Sequence, residues 1–84
     1  MQLFKSLKPL SDCTRGELFV IEEIKLEGVI RRRLLDLGFV KGAEVLVLQR
    51  SPLGDPAAFR VSGTTVALRN EESSKILGEV LGGL

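Results

Sequence analysis

Seven arginines are the side chains of this sequence best equipped for chemistry, and three of them, Arg31, Arg32 and Arg33, stand in one run. A guanidinium is permanently charged, and its planar fork matches carboxylate and phosphate oxygens. Around these cations the reactive inventory is thin, with no histidine and a single cysteine, Cys13. That removes imidazole acid–base catalysis, serine–histidine and cysteine–histidine pairs, and histidine-bound metals. It also removes an intramolecular disulfide and any Cys-x-x-Cys site. Glu22 and Glu23 are neighbours on an expected strand, so they face opposite ways and cannot share an ion. Glu71 and Glu72 follow Asn70, a favoured helix N-cap, where their charges suit the positive helix end. The sequence therefore presents no catalytic set, no metal site and no cofactor site. Cys13 is expected to be a small buried or half-exposed thiol.

The elements that would carry these residues must fit in 84 residues, which is one domain (1–84) with no room for a second core. Such a chain buries roughly 60–65% of its unfolded surface. Hydrophobic residues make up 44% and charged ones 27%, as in folded domains. The net charge of +1 supplies no general field for nucleic acid or anionic lipid. Phe4, Phe19, Phe39 and Phe59 accordingly suit packing better than base stacking, which needs a basic groove. Met1 to Pro9 is interrupted by Lys5 and Lys8 and lacks the apolar centre of a signal peptide. Leu10-Ser11-Asp12-Cys13 echoes a lipoprotein cleavage box without the apolar segment that should precede it. A reduced thiol and a cytoplasmic location are the expectation.

Strands are expected over Leu18–Ile24 and Ala43–Gln49, each led by a glycine turn, at Gly16 and Gly42. Both are apolar on both faces, so each should be covered twice, by the interior and by a helix or a neighbouring subunit. That pattern leaves self-association open. Phe59–Val61 and Thr65–Leu68 flank Ser62-Gly63-Thr64 as a hairpin. Two prolines and a glycine make 51–56 a loop. A helix is expected from about Leu26 to Leu37, ended by Gly38, with Leu26, Ile30, Leu34 and Leu37 in a stripe about 60° wide. A second should start after Asn70 and turn Ile76 and Leu77 inward, before a short closing strand at Glu79-Val80-Leu81. The fold class is mainly β with two short helices, a small partly open barrel of about five strands.

Arg32-Arg33-Leu34-Leu35-Asp36-Leu37-Gly38-Phe39-Val40-Lys41-Gly42 resembles the signature of the FeoA family, accessory proteins of bacterial ferrous-iron transport. Lys41 stands where that signature usually has proline. Pro52-Leu53-Gly54-Asp55-Pro56 resembles the family's loop, Val66-Ala67-Leu68-Arg69 its hairpin exit strand, and Glu71-Glu72-Ser73 with Ile76 its closing helix. Family members often carry alanine near Ser73. The resemblance spans about residues 6 to 81, with four pieces in order. It implies an SH3-like barrel, a fold shared with the tails of iron-dependent repressors. It also implies a partner, FeoB, which joins a cytoplasmic GTP-binding domain to an iron-conducting membrane region.

On the helix projection Arg33 falls between Leu37 and Val29, where its methylenes can lie on the core, so it is expected to be structural with Leu34, Leu37, Gly38, Gly42 and Gly54. Arg32 faces outward and, with Arg31, Leu53 and Asp55, is expected to contact the partner. An arginine that stabilises phosphoryl charge in a GTP-hydrolysing partner could be Arg31, Arg32, Arg50, Arg60 or Arg69. The leading expectation is a non-enzymatic adaptor that docks on the transporter and meets the membrane only through it, without nucleic acid. The alternatives are a nucleic-acid-binding SH3-like module and a metal-responsive domain related to the repressor tails.

Overall fold

The structure is a computed structural model that describes residues 7–82, so the expected packing role of Phe4 lies outside the described residues. Six antiparallel strands form one open sheet: β1 (Lys8–Pro9), β2 (Leu18–Ile24), β3 (Glu44–Arg50), β4 (Ala57–Val61), β5 (Thr64–Leu68) and β6 (Ile76–Gly82). Their spatial order is β1-β6-β2-β3-β4-β5, so the last strand in sequence sits between the first two. Helix α1 (Gly28–Leu37) links β2 to β3, and a single turn, α2 (Asn70–Ser73), links β5 to β6.

The sheet curls around alternate residues of its strands. Phe19 and Ile21 of β2, Val45 and Val47 of β3, and Phe59 and Val61 of β4 are buried, as period-two alternation requires. Leu34 from α1, Phe39 and Ile76 complete the interior. On the opposite faces of β2 and β3 the chain itself gives partial cover. Leu18, Val20, Leu46 and Leu48 are only half-buried. Leu18 lies opposite Leu46 in the β2–β3 ladder, so these side chains shield one another laterally.

Helix α1 begins two residues later than expected and ends where Gly38 takes φ 111°. The Gly38 N–H donates to Leu35 O, and the Phe39 N–H donates to Leu34 O at 2.9 Å. A Cβ at Gly38 would stand 2.6 Å from Ser62 Oγ, so the end of the helix rests against the β4–β5 turn. Leu26 and Leu34 of the expected stripe are buried, whereas Ile30 and Leu37 are half-buried against the core.

The C-terminal third departs most from expectation. Asn70 is the first helical residue of α2, and the cap is Arg69, whose N–H donates to Glu72 Oε1 at 3.0 Å. The helix lasts four residues, and Ile76 and Leu77 belong to β6, not to a helix. The sheet captures the chain there: Lys25 N–H donates to Lys75 O at 2.8 Å, and Ile76 pairs with Ile24. Gly78 lies inside β6. A Cβ on it would stand 2.0 Å from Val20 O and 2.8 Å from the Phe19 ring. No side chain fits between β6 and β2 there, so Gly78→Ala should lower unfolding free energy by about 2–3 kcal/mol. Urea denaturation checks this, and an unchanged midpoint would contradict the close approach.

Candidate interaction surface

Of the arginines, the one most engaged by the fold is Arg50, at the end of β3 beside the proline loop. Its Nη2 donates to Ser11 O, and to Cys13 O at 2.9 Å. Its Nη1 reaches Asn70 Oδ1 at 3.4 Å and, more weakly, Gly54 O at 3.5 Å. One side chain thus ties the turn after β1, the loop between β3 and β4, and the start of α2. Carbonyls left over where backbone turns are satisfied by a fork-shaped cation that holds several at once. Sequence reasoning weighed Arg50 only as a phosphoryl-stabilising candidate. The available signal was its place between an apolar strand and a loop rich in carbonyls without regular partners.

The Pro52–Pro56 loop is ordered from within. Ser51 N–H donates to Pro56 O at 3.0 Å and Gly54 N–H to Ser51 O at 2.8 Å. Asp55 Oδ1 accepts from Asn70 N–H at 2.9 Å, so this carboxylate is engaged by the start of α2. Leu53 projects from the loop at 93% exposure. The loop therefore holds an apolar side chain in water on a backbone fixed at both ends, which limits the entropy a contact would cost.

On α1 the three adjacent arginines divide differently from the projection. Arg31 Nη1 donates to Ile24 O at 3.3 Å and so crosses back to the end of β2. Arg32 is exposed. Arg33, expected at the edge of the apolar stripe, is exposed too. The helix has a narrow seat, since within α1 only Leu34 is fully buried. Val29 stands nearby at 86% exposure. Gly42 and Gly54 sit in turns, and Gly42 N–H donates to Ile21 O at 2.7 Å.

The structure does not bring the predicted contact residues into one pocket. Arg31 and Arg32 lie on α1, whereas Leu53 and Asp55 lie on the β3–β4 loop. Two shallow grooves lie elsewhere. One, of about 460 Å³, is lined by Arg15, Gly16, Leu46, Val47 and Leu48. The other, of about 300 Å³, lies between Leu26, Ile30, Glu71, Glu72 and Lys75. Neither was singled out from the sequence. Their linings come from separated elements, and only the register of the sheet and the short α2 unite them.

Among the described residues no three histidine, cysteine, aspartate or glutamate side chains gather where they could hold a metal ion. Cys13 is fully buried, 4.0 Å from Pro9 O, and burial pushes its thiol pKa up. No helix among the described residues is long and apolar enough to cross a membrane.

A family model described as the FeoA domain matches residues 8–80. Over 72 residues, 86% of the chain, the sequence is 39% identical to a Porphyromonas gingivalis protein described as a fusion of Fe(2+) transport protein A with the Fe(2+) transporter FeoB. The chain spans only 8% of that relative's length. An FeoA-like protein from Clostridium acetobutylicum superposes with a TM-score of 0.84 at 31% identity, covering 96% of this chain and 94% of that one. Stenotrophomonas maltophilia FeoA, solved with zinc and described as a procaryotic SH3 domain protein, gives 0.72 at 33% identity over 84% and 88% of the two chains.

Two outcomes follow from this geometry. Arg50→Met leaves several carbonyls without their donor and should cost about 2–3 kcal/mol, with faster amide exchange at Ser51 and Gly54. Hydrogen exchange by NMR reads both, and a loop as well protected as before would refute the tie. Cys13 should resist alkylation at neutral pH until the chain unfolds. Because its folded-state pKa is raised, the unfolded thiol ionises first, so stability present below the usual thiol range, about pH 8.5, should fall as pH rises through it.

Proposed function

The chain belongs to the FeoA family, and from that membership we propose that it is a non-enzymatic, cytoplasmic accessory domain of ferrous-iron uptake that docks on an FeoB-like transporter. The observation that carries this reading is the relative in which the same domain and the transporter form one polypeptide. Fusion makes an encounter intramolecular, and it is informative when the two parts already work together. A domain without histidine offers ferrous iron no imidazole ligand of its own, which suits an adaptor.

The docking contacts we assign are Arg32 and Arg31 on α1 and Leu53 at the loop tip. Arg32 and Leu53 are exposed on supports that hold their backbones fixed, and Arg31 keeps one nitrogen on Ile24 O with the rest of its fork available. Asp55 contributes by shaping the loop that carries Leu53, since one of its oxygens is held by Asn70 N–H. Arg50 is committed to backbone carbonyls and is a poor choice for stabilising phosphoryl charge in the partner.

Co-purification with the transporter's GTP-binding part and with its membrane part, each alone, tests the docking. One of the two should retain the chain. Arg32→Ala and Leu53→Asp should each weaken retention about tenfold, or about 1.4 kcal/mol, with unchanged urea midpoints. Loss of neither contact, or retention by neither part, would overturn the reading. GTP hydrolysis by the partner saturated with the Arg32→Ala variant should match the wild-type complex, because an anchoring arginine affects binding and not the chemical step.

A further inference from the structure

The sheet finishes its two edges in different ways. At one end β1 is two residues long and includes Pro9, which has no N–H to offer. At the other end β5 runs for five residues, Thr64–Leu68, without a charge, a proline or a bulge in its pairing with β4. Charges, prolines and bulges are the usual means of blunting an exposed edge. Among the described residues no strand lies on β5's outer side.

The backbone groups this edge presents follow from the turn before it. Ser62 and Gly63 both take positive φ, 51° and 75°, the requirement of a type I′ turn. In a two-residue hairpin of this type Val61 and Thr64 form the first hydrogen-bonded pair. Alternation then aims the N–H and C=O of Thr65 and Ala67 away from β4. The far side of the sheet requires the same phase. Val47 exchanges hydrogen bonds with the β2 side, accepting from Gly16 N–H at 2.9 Å and donating to Glu17 O at 3.0 Å. Leu46 therefore faces β4, its partner Arg60 faces back to it, and Val61 faces β5. Thr64, Thr65 and Ala67 are exposed.

The charged side chains of the hairpin itself are cations. From Ala57 to Arg69 the hairpin carries two cations, Arg60 and Arg69, and no anion. Arg60 is exposed and lies opposite Thr65 in the ladder. A strand added beyond β5 would lie about 9.6 Å from β4, two strand spacings, within the joint reach of an arginine and a glutamate across Thr65. A second copy of the chain would bring two such hairpins together with no anion on either β4 or β5. The occupant that fits is instead an acidic segment.

We propose that the open edge of β5 binds an extended, acidic segment of a partner protein by strand addition, its backbone paired with Thr65 and Ala67 and a carboxylate set against Arg60. Main-chain pairing supplies the attachment and the alternate side chains supply the choice of partner. The inference rests on the hairpin alone, and it holds whichever protein supplies the segment.

Amide exchange of the labelled full chain, with and without a synthetic peptide alternating glutamate and valine, tests this proposal. Without peptide, Thr65 and Ala67 amides should exchange faster than those of Val66 and Leu68. With it they should slow by at least about tenfold, and a peptide with lysine in place of glutamate should protect them less. Thr65→Pro removes only an outward N–H and should abolish the protection. Should that variant fail to fold, Arg60→Glu carries the test, since it should transfer the preference to the lysine peptide. No slowing, or equal slowing by both peptides, would overturn the proposal. So would protection that grows with protein concentration alone, which assigns the edge to a second copy.

Discussion

Everything in this fold depends on how closely β6 can approach β2. The core is small, and the last strand must pass between β1 and the long β2 with no room to spare at Gly78, where Val20 O and the Phe19 ring fill the position of a Cβ. That contact presses the Phe19 ring into the interior beside the other buried strand residues. It also sets the register that brings Ile76 against Ile24. In a domain of this size a single gap in the core is felt throughout, because interiors are close-packed and few residues are available to absorb a shift.

A second constraint acts where the strands end. Turns leave carbonyls without partners, and a small domain cannot bury them without cost. Arg50 meets this need for the turn after β1, the proline loop and α2 together. The loop becomes a fixed platform, and Leu53 stands on it in water because the polar groups beneath are already satisfied. Stability and surface are connected at this point: the groups that hold the loop together are the ones that make its tip a defined shape.

Much of this was legible in the sequence, and the failures have a common origin. The strands at Leu18 and Ala43, the hairpin at Ser62-Gly63 and the helix ended by Gly38 could all be read, because local chemistry decides them: β-rich runs, a tight turn, a left-handed cap. The helix after Asn70 and the closing strand at Glu79-Val80-Leu81 could be read too, but not how soon the one gives way to the other at Ile76. The charges and apolar spacing there fit a helix, but pairing with β2 outweighs a weak local preference, and that pairing lies some fifty residues away in sequence. The surroundings of the arginines depend on the same long-range information. Helical projection puts Arg33 at the edge of the apolar stripe without showing how shallowly α1 is seated, and nothing near Arg50 in sequence announces that Ser11 and Cys13 will face it.

The near-balance of charge across the chain conceals how unevenly that charge is used. Arg50 is turned inward onto carbonyls and Arg31 onto the end of β2, while Arg32 and Arg33 face water on α1 and Arg60 and Arg69 bracket a hairpin without anions. Several acids are likewise spent locally: Glu72 caps α2, Asp55 braces the same turn, and Glu17 accepts from Thr14 N–H, which holds its carboxyl below the usual range. Acids that serve the fold do not neutralise cations displayed elsewhere. A net charge of +1 is thus compatible with local basic surfaces on a helix and at a sheet edge. Short-range recognition of an acidic protein surface does not need a global field, because it depends on a few positioned guanidinium groups and not on the sum.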